Sequence, residues 1–137
     1  MRKIIILFFV FIIFNAYKCD AQVMSAKPQW IIIKSSNLHC WECKELLDKY
    51  LVGENDLNWQ SGMLKRSYNL LAGEIKVQFL PDRVSIDDIR TAMNNAGFDA
   101  DSTKAVPPVY FKLPPSCKLN SEGGGPKKGH PCHLPPM

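Results

Sequence analysis

The chain has 137 residues, of which 46% are hydrophobic and 22% charged, and its formal net charge is +4. This length fits one domain and excludes most large enzyme folds, such as an α/β barrel. The plentiful apolar residues are not typical of a disordered chain. The charge is too small to indicate a nucleic-acid-binding protein of this size.

The amino terminus has the pattern of a secretory signal. Arg2 and Lys3 precede an apolar run over residues 4–14, and Ala21 offers a small residue for cleavage. The run is too short to cross a bilayer as a helix. We therefore predict a signal peptide over residues 1–21 and a mature protein in the periplasm or outside the cell. An uncleaved membrane anchor and lipid attachment at Cys19 are the alternatives.

Cleavage at this site leaves four cysteines, which are Cys40, Cys43, Cys117 and Cys132. An even number of cysteines in an exported chain is compatible with two disulfides. The same thiols are also suited to hold a metal ion. The cysteine count leaves both alternatives open.

A compact body is predicted over residues 29–104. The β-branched run at 30–34 predicts a strand, and the apolar spacing over 40–51 predicts a helix. A weaker strand is predicted over 64–70. The alternation of apolar and polar residues over 74–79 predicts a strand that is buried on one face.

The second half of the body adds a helix and a last strand. Ser85 has the features of a helix N-cap, with Asp88 in a capping-box position, and Gly97 stands where such a helix would end. Residues 98–102 are predicted to form the final strand. The order βαββαβ predicts an α+β, ferredoxin-like sandwich, in which two helices cover one face of a four-stranded antiparallel sheet. Many functions share this fold, so the site has to indicate the function.

The carboxyl-terminal segment, residues 105–137, holds eight of the ten prolines. Proline interrupts helices and central strands, so we predict a mostly disordered tail. Its Cys117, His130, Cys132 and His133 are candidates for an auxiliary metal site. A Cys117–Cys132 disulfide and an unused tail are the alternatives.

The main candidate site is Cys40-Trp41-Glu42-Cys43, where the first loop enters the first helix. Cys40 is expected at the helix start and Cys43 in the first turn, so both sulfurs can face one point near the surface. Free N–H groups at a helix N-terminus favour the thiolate form of cysteine. Two soft thiolates suit a soft ion such as Cu(I). A site with two ligands stays open to a third thiol, which allows the ion to be handed on.

Two segments resemble the heavy-metal-associated domain family, which includes copper chaperones, modules of copper-transporting ATPases and periplasmic mercuric-ion-binding proteins. Residues 37–43 are similar to the metal loop of the family, usually Gly-Met-x-Cys-x-x-Cys. Residues 95–101 are similar to the end of its second helix and the start of its last strand. The resemblance implies that Cys40 and Cys43 are the metal ligands.

The chain departs from the pattern of that family at several positions. Leu38 replaces a methionine that packs under the metal loop, and Phe98 falls where the family has a residue beside the loop. Asn37 replaces the usual glycine, and the connection over residues 52–63 is longer than in most members. His39, next to the first ligand, is either a third ligand or an exposed loop side chain.

The sequence therefore predicts an exported protein that is not an enzyme. It would bind Cu(I) through Cys40 and Cys43 and pass the ion to a metal-transporting membrane protein or another carrier. Hg(II) is the second candidate. Zn(II) would need four ligands, from the tail or from a second molecule in a metal-bridged homodimer. No nucleic-acid partner is expected.

Two other functions fit the same motif. A thiol–disulfide oxidoreductase also uses two cysteines at a helix start, and a structural or adaptor module would keep the cysteines oxidised. Disulfides from Cys40 and Cys43 to Cys117 and Cys132 would take the pair out of the carrier role.

Overall fold

The computed structural model describes residues 26–53, 62–127, 129 and 131–135. The predicted signal peptide over residues 1–21, most of the 52–63 connection and His130 lie outside these described residues. Within the described ranges, no helix is both long enough and apolar enough to cross a membrane.

The sheet has three antiparallel strands in the order β1-β3-β2, and its strands are β1 (Gln29–Lys34), β2 (Met63–Asn69) and β3 (Glu74–Phe79). The predicted alternation in β3 is confirmed, because its apolar side chains are buried and Lys76 is exposed. In the register of β1 and β3, Ile33 lies opposite Ile75, which places two buried side chains on the same face of the sheet.

Two helices flank β2 and β3 along the chain, α1 (Trp41–Gly53) and α2 (Ile86–Asn95). The predicted capping box of α2 is confirmed: the Asp88 N–H donates to Ser85 Oγ at 3.1 Å, and the Ser85 N–H donates to Asp88 Oδ2 at 2.9 Å. Gly97 follows the helix with φ +90°, as expected for a residue that ends a helix in the left-handed region. Helices and sheet share one core, whose fully buried members include Ile33, Leu47, Leu51, Ile75, Val77, Ile89 and Met93.

Arg66 interrupts the apolar pattern of β2 because its side chain links the strand to α1. The Arg66 Nε donates to Asp48 Oδ1 at 2.7 Å, and the Tyr68 hydroxyl donates to the same oxygen at 2.8 Å. Burial raises the pKa of Asp48, but these two hydrogen bonds together with the positive charges of Arg66 and Lys44 outweigh it and leave the pKa below its ordinary value. The helix side of β2 therefore carries a polar connection.

The prediction of a fourth strand over residues 98–102 is wrong, and the described sheet has three strands. Phe98, Asp99 and Ala100 are all buried, whereas a strand on one face of a sheet alternates. The next residue, Asp101, has φ +53°, which ends any extended run. A turn follows, in which the Ala100 N–H donates to the Thr103 carbonyl at 3.0 Å.

The prediction of a mostly disordered tail does not fit the described part of residues 105–137. This segment forms a short helix, α3 (Pro107–Tyr110), and two 3₁₀ turns, Pro115–Cys117 and Asn120–Glu122. Proline breaks a helix in its interior, but here prolines stand at helix starts, where the missing N–H costs nothing. The tail packs against the body, with Tyr110 and Cys117 buried.

Candidate metal centre

The predicted metal loop connects β1 to α1 and is part of the core. Leu38, Cys40 and Cys43 are at most 1% exposed. Cys40 directly precedes α1, and its carbonyl accepts the Lys44 N–H at 3.1 Å, which begins the helix. Cys43 lies in the first turn, so the two cysteines occupy the positions expected from the sequence.

Both cysteines are joined to the tail by disulfides. Cys40 is bonded to Cys132, with 4.6 Å between their Cα atoms, and Cys43 is bonded to Cys117, with 5.5 Å between theirs. The predicted open pair of thiolates is therefore not presented in this form of the chain. The alternative of a Cys117–Cys132 disulfide is also wrong, because the tail cysteines bond to the loop rather than to each other.

The tail also occupies the start of α1. The carbonyl of Cys132 accepts the Trp41 N–H at 2.5 Å, which is one of the free N–H groups at the helix N-terminus. The Ser116 hydroxyl donates to Glu42 Oε2 at 2.7 Å. The place where the sequence predicts an exposed metal ion is thus filled by protein groups.

Asn37 holds the loop to the tail. Its side chain is fully buried, and its Nδ2 donates to the carbonyls of Gly97 and Cys117 at 3.0 and 3.1 Å. Its Oδ1 accepts the Asp99 N–H at 3.0 Å and the Ser35 hydroxyl at 3.1 Å. Every hydrogen-bonding position of this amide is used. The replacement of the family's glycine therefore has a structural explanation, and Asn37 is not among the described residues with positive φ.

The other predicted site residues differ in position. Leu38 and Phe98 are fully buried in the cluster that contains Cys40 and Cys43. His39 is half-buried, and its Nε2 forms a 2.6 Å hydrogen bond with the Ser36 carbonyl, which ties the ring to the loop's own backbone.

His133 lies near Trp41. It lines a small cavity together with Trp41, Lys44 and Tyr68. The Lys44 ammonium stands 4.5 Å from the centre of the Trp41 ring, a cation–π contact. Trp41, which stands between the two cysteines in the sequence, is half-buried by these neighbours.

The two disulfides differ in access to solvent. Cys40 and Cys132 line an open groove of about 760 Å³ beside Trp41, whose other walls include Pro131 and Leu134. Cys43 and Cys117 are both 0% exposed. A reductant can approach the first bond along the groove, whereas the second is enclosed by the core.

The sulfurs in this oxidised form are not thiolates and do not offer ligands to a metal ion. Among the described side chains, no group of three or more His, Cys, Asp or Glu residues is arranged to hold a metal. Cys40 and Cys43 are also not bonded to each other, whereas the two motif cysteines of an oxidised CxxC oxidoreductase form a disulfide with each other. What the arrangement offers is a set of four sulfurs that reduction would release at one place.

Sequence reasoning missed the roles of Asn37 and Ser116. The departure from glycine at position 37 was a usable signal, because a buried amide needs several partners. Nothing in the local sequence around Ser116 indicates its bond to Glu42, since 74 residues separate the two.

Comparison with known proteins gives matches among solved structures. No family model matches the chain, and no curated protein matches it. The chain is similar to oxidized MerP from Ralstonia metallidurans CH34, at 16% identity over 55% of this chain and 96% of that one, with a TM-score of 0.46. It is similar to a copper binding domain from HMA7, a P-type ATPase, at 28% identity over 53% and 89%, with a TM-score of 0.44.

A third similar structure is the CopZ metallochaperone, at 21% identity over 53% of this chain and 98% of that one, with a TM-score of 0.44. These solved structures are heavy-metal-associated domain proteins.

Proposed function

We propose that the chain is an exported protein that, in its reduced form, binds one soft metal ion through Cys40 and Cys43. Cu(I) is the first candidate and Hg(II) the second. The observation that carries the proposal is the placement of these cysteines, one directly before α1 and one in its first turn. Each is bonded to a single tail cysteine, so breaking the two disulfides frees both loop thiols.

Reduction is the step that makes the site. Each disulfide takes up two electrons and two protons from an external dithiol, whose own sulfurs become joined, and yields two thiols. Once the tail is released, the Trp41 N–H and its neighbours at the helix start are free to stabilise thiolates. A soft pair of thiolates then favours Cu(I) over harder ions.

The reduced tail adds a further option. Cys117 and Cys132 start directly beside Cys43 and Cys40, so the reduced chain supplies four sulfurs within one molecule. Zn(II), which takes four ligands, then needs no second chain. In the oxidised chain all four sulfurs are bonded, and the tail acts as a cover on the metal loop.

Transfer would follow the same chemistry. A two-coordinate ion remains open to attack by a thiol of a second protein, such as a metal-transporting membrane protein or another carrier in the same compartment. The chain itself would make and break only metal–sulfur bonds, so we propose no enzymatic activity.

A second candidate function is a structural module in which the disulfides are permanent. The observation that favours it is the complete burial of Cys43 and Cys117 in the core. In this case the two loop cysteines serve only to fasten the tail, and no metal is carried.

One titration separates the two candidates. The mature chain is reduced, and Cu(I) is added in competition with a coloured Cu(I) chelator. We expect one Cu(I) per chain, no binding by the oxidised chain, and no binding by Cys40→Ser/Cys43→Ser. The matched control is Cys117→Ser/Cys132→Ser, which should keep one Cu(I).

Two results would contradict the carrier function. One is a reduced, folded wild-type chain that takes no Cu(I), which leaves the structural module. The other is full binding by the variant without the loop cysteines.

The groove also predicts an order of reduction. A dithiol should open the Cys40–Cys132 bond before the Cys43–Cys117 bond, because only the first lines an open groove. Alkylation at successive times followed by mass spectrometry gives the order. Simultaneous release of all four thiols would mean that the groove does not control access.

A further inference from the structure

Among the described residues, the outer edge of β1 is open along most of its length. Ser35 donates its N–H to the Gly73 carbonyl, on the side of β3, at 2.8 Å. The backbone groups of Lys34 point away from β3. Its N–H donates to Asp101 Oδ1 at 3.0 Å, and its carbonyl accepts the Asp101 N–H at 2.8 Å. Because backbone direction alternates along a strand, Trp30 and Ile32 point their N–H and C=O groups to the same outer side as Lys34.

Within the part of the chain that the structure describes, no backbone group pairs with Trp30 or Ile32 on this side. This is the side on which the sequence predicts a fourth strand, and Asp101 alone reaches it. An open strand edge is a template for pairing with another strand.

The side chains of Trp30 and Ile32 on this edge are also partly exposed, although the Lys76 ammonium lies 4.8 Å from the centre of the Trp30 ring. Trp30 is 48% exposed and Ile32 is 53% exposed, and both lie on the face of the sheet that carries Lys76. Proteins usually protect an edge with charges, bulges or a covering segment. Here the large apolar side chains of Trp30 and Ile32 lie beside the outward N–H and C=O groups of the same two residues, which have no partner among the described residues.

We infer that this edge binds β1 of a second copy of the chain, antiparallel, about a two-fold axis that passes between the two Ile31 residues. In this register Trp30 of each copy lies opposite Ile32 of the other copy, so that two equivalent pairs are formed. All four outward N–H groups and all four outward carbonyls of these residues are then paired. Each exposed indole also covers the exposed isoleucine of the other copy, a favourable cross-strand pair.

The ends of β1 select this register. It places Pro28 of one copy opposite Lys34 of the other. Pro28 has no N–H to offer, and the outward groups of Lys34 are already bonded to Asp101, so the ladder ends at this pair and only the Pro28 carbonyl is left to solvent. A register centred on Ile32 would set Trp30 against the occupied Lys34 and lose two of the four bonds.

The side chains fit a second copy better than an unrelated strand. Across the axis, Ile31 meets Ile31, and Gln29 meets Ile33, so no like charges lie opposite each other. Ile31 is partly buried against the core, and the second copy covers the remainder of it. The same surface patch is used on both copies, as a two-fold interface requires.

The test uses the oxidised mature chain without metal, so its outcome does not depend on the proposed carrier function. Sedimentation equilibrium should show a reversible monomer–dimer equilibrium with a dissociation constant below about 1 mM, as expected for a small interface. Ile32→Pro removes an outward N–H that takes no part in the β1–β3 ladder, so the fold is kept. It should weaken dimerisation at least about tenfold.

Two further measurements keep the outcome specific. Leu71→Lys changes an apolar side chain in the β2–β3 turn that is more exposed still, at 79%, and it should leave the dimer unchanged. Amide hydrogen exchange of Trp30 and Ile32 should slow as concentration rises. A chain that remains monomeric to about 1 mM overturns the inference. A dimer that Ile32→Pro leaves intact, or exchange at these two amides that ignores concentration, overturns it as well.

Discussion

Replacement of Asn37 by alanine tests whether the tail is part of the folded core. The amide makes four hydrogen bonds, to Ser35, Gly97, Asp99 and Cys117, all in buried surroundings. Alanine at this position leaves two carbonyls, one N–H and one hydroxyl without the partner they have in the folded chain. These groups belong to the first loop, the end of α2 and the tail, so one change loosens three parts of the molecule.

The expected loss of stability is large. Each of the four bonds contributes about 1 kcal/mol net, and a buried group left without a partner costs about 1–3 kcal/mol. Water that enters the space recovers part of this cost. We expect Asn37→Ala to lower the free energy of unfolding by about 3–5 kcal/mol, a major part of the roughly 5–15 kcal/mol that stabilises a domain.

The assay is urea unfolding of the oxidised chain, followed by tryptophan fluorescence. Asn37→Asp should be as harmful as Asn37→Ala, because it keeps the acceptor but turns a carboxylate toward the carbonyls of Gly97 and Cys117. Asn69→Ala is the matched control, since its side chain accepts one exposed bond, from Ala72. It should cost under about 1 kcal/mol. Equal midpoints and slopes for Asn37→Ala and wild type would refute the reasoning.

Three further predictions concern single positions. Burial raises the pKa of Asp99, but its hydrogen bonds, of which the one from Lys104 is the strongest, outweigh burial and hold the pKa below 3.8. The stability of the fold should therefore fall as the pH drops through the folded-state pKa of this carboxylate. Melting experiments at several pH values should show that Asp99→Asn flattens this loss of stability in acid. Ser85→Ala removes the cap of α2 and should cost about 1 kcal/mol in urea unfolding, whereas an unchanged midpoint would mean that the capping box is not formed. Gly73→Ala should lower the melting temperature, because φ is +64° and the new Cβ would lie 2.7 Å from the Ser35 carbonyl oxygen; a rise would contradict this.

Much of the body follows from local patterns. The alternation of β3, the capping box at Ser85 and the glycine that ends α2 each depend on residues within a few positions of one another, and each is found where the sequence predicts it. The placement of Cys40 and Cys43 at the start of α1 belongs to the same class. Periodicity and capping are properties of short segments, so they can be recognised without the rest of the chain.

The wrong predictions involve residues whose partners are distant. Residues 98–102 have the composition of a strand, but the carboxylate of Asp99 is used by Ser36, Lys104 and the Ala105 N–H, which bends the segment into a turn. The tail has the composition of a disordered segment, yet it gains order from contacts with the loop it covers. Neither set of contacts is encoded by spacing in the sequence.

The sequence by itself determined where the two loop cysteines stand relative to α1, and it predicted that reduced thiols at this place would bind a soft metal ion. Only the tertiary structure decided what those sulfurs bond to, because the partners of Cys40 and Cys43 lie 92 and 74 residues away. Four cysteines allow three pairings, and the choice among them depends on how the tail folds back over α1. Within the described residues the same folding leaves most of the edge of β1 without a partner strand, since Asp99 bonds to Lys104 and Ala105 and only Asp101 reaches this edge.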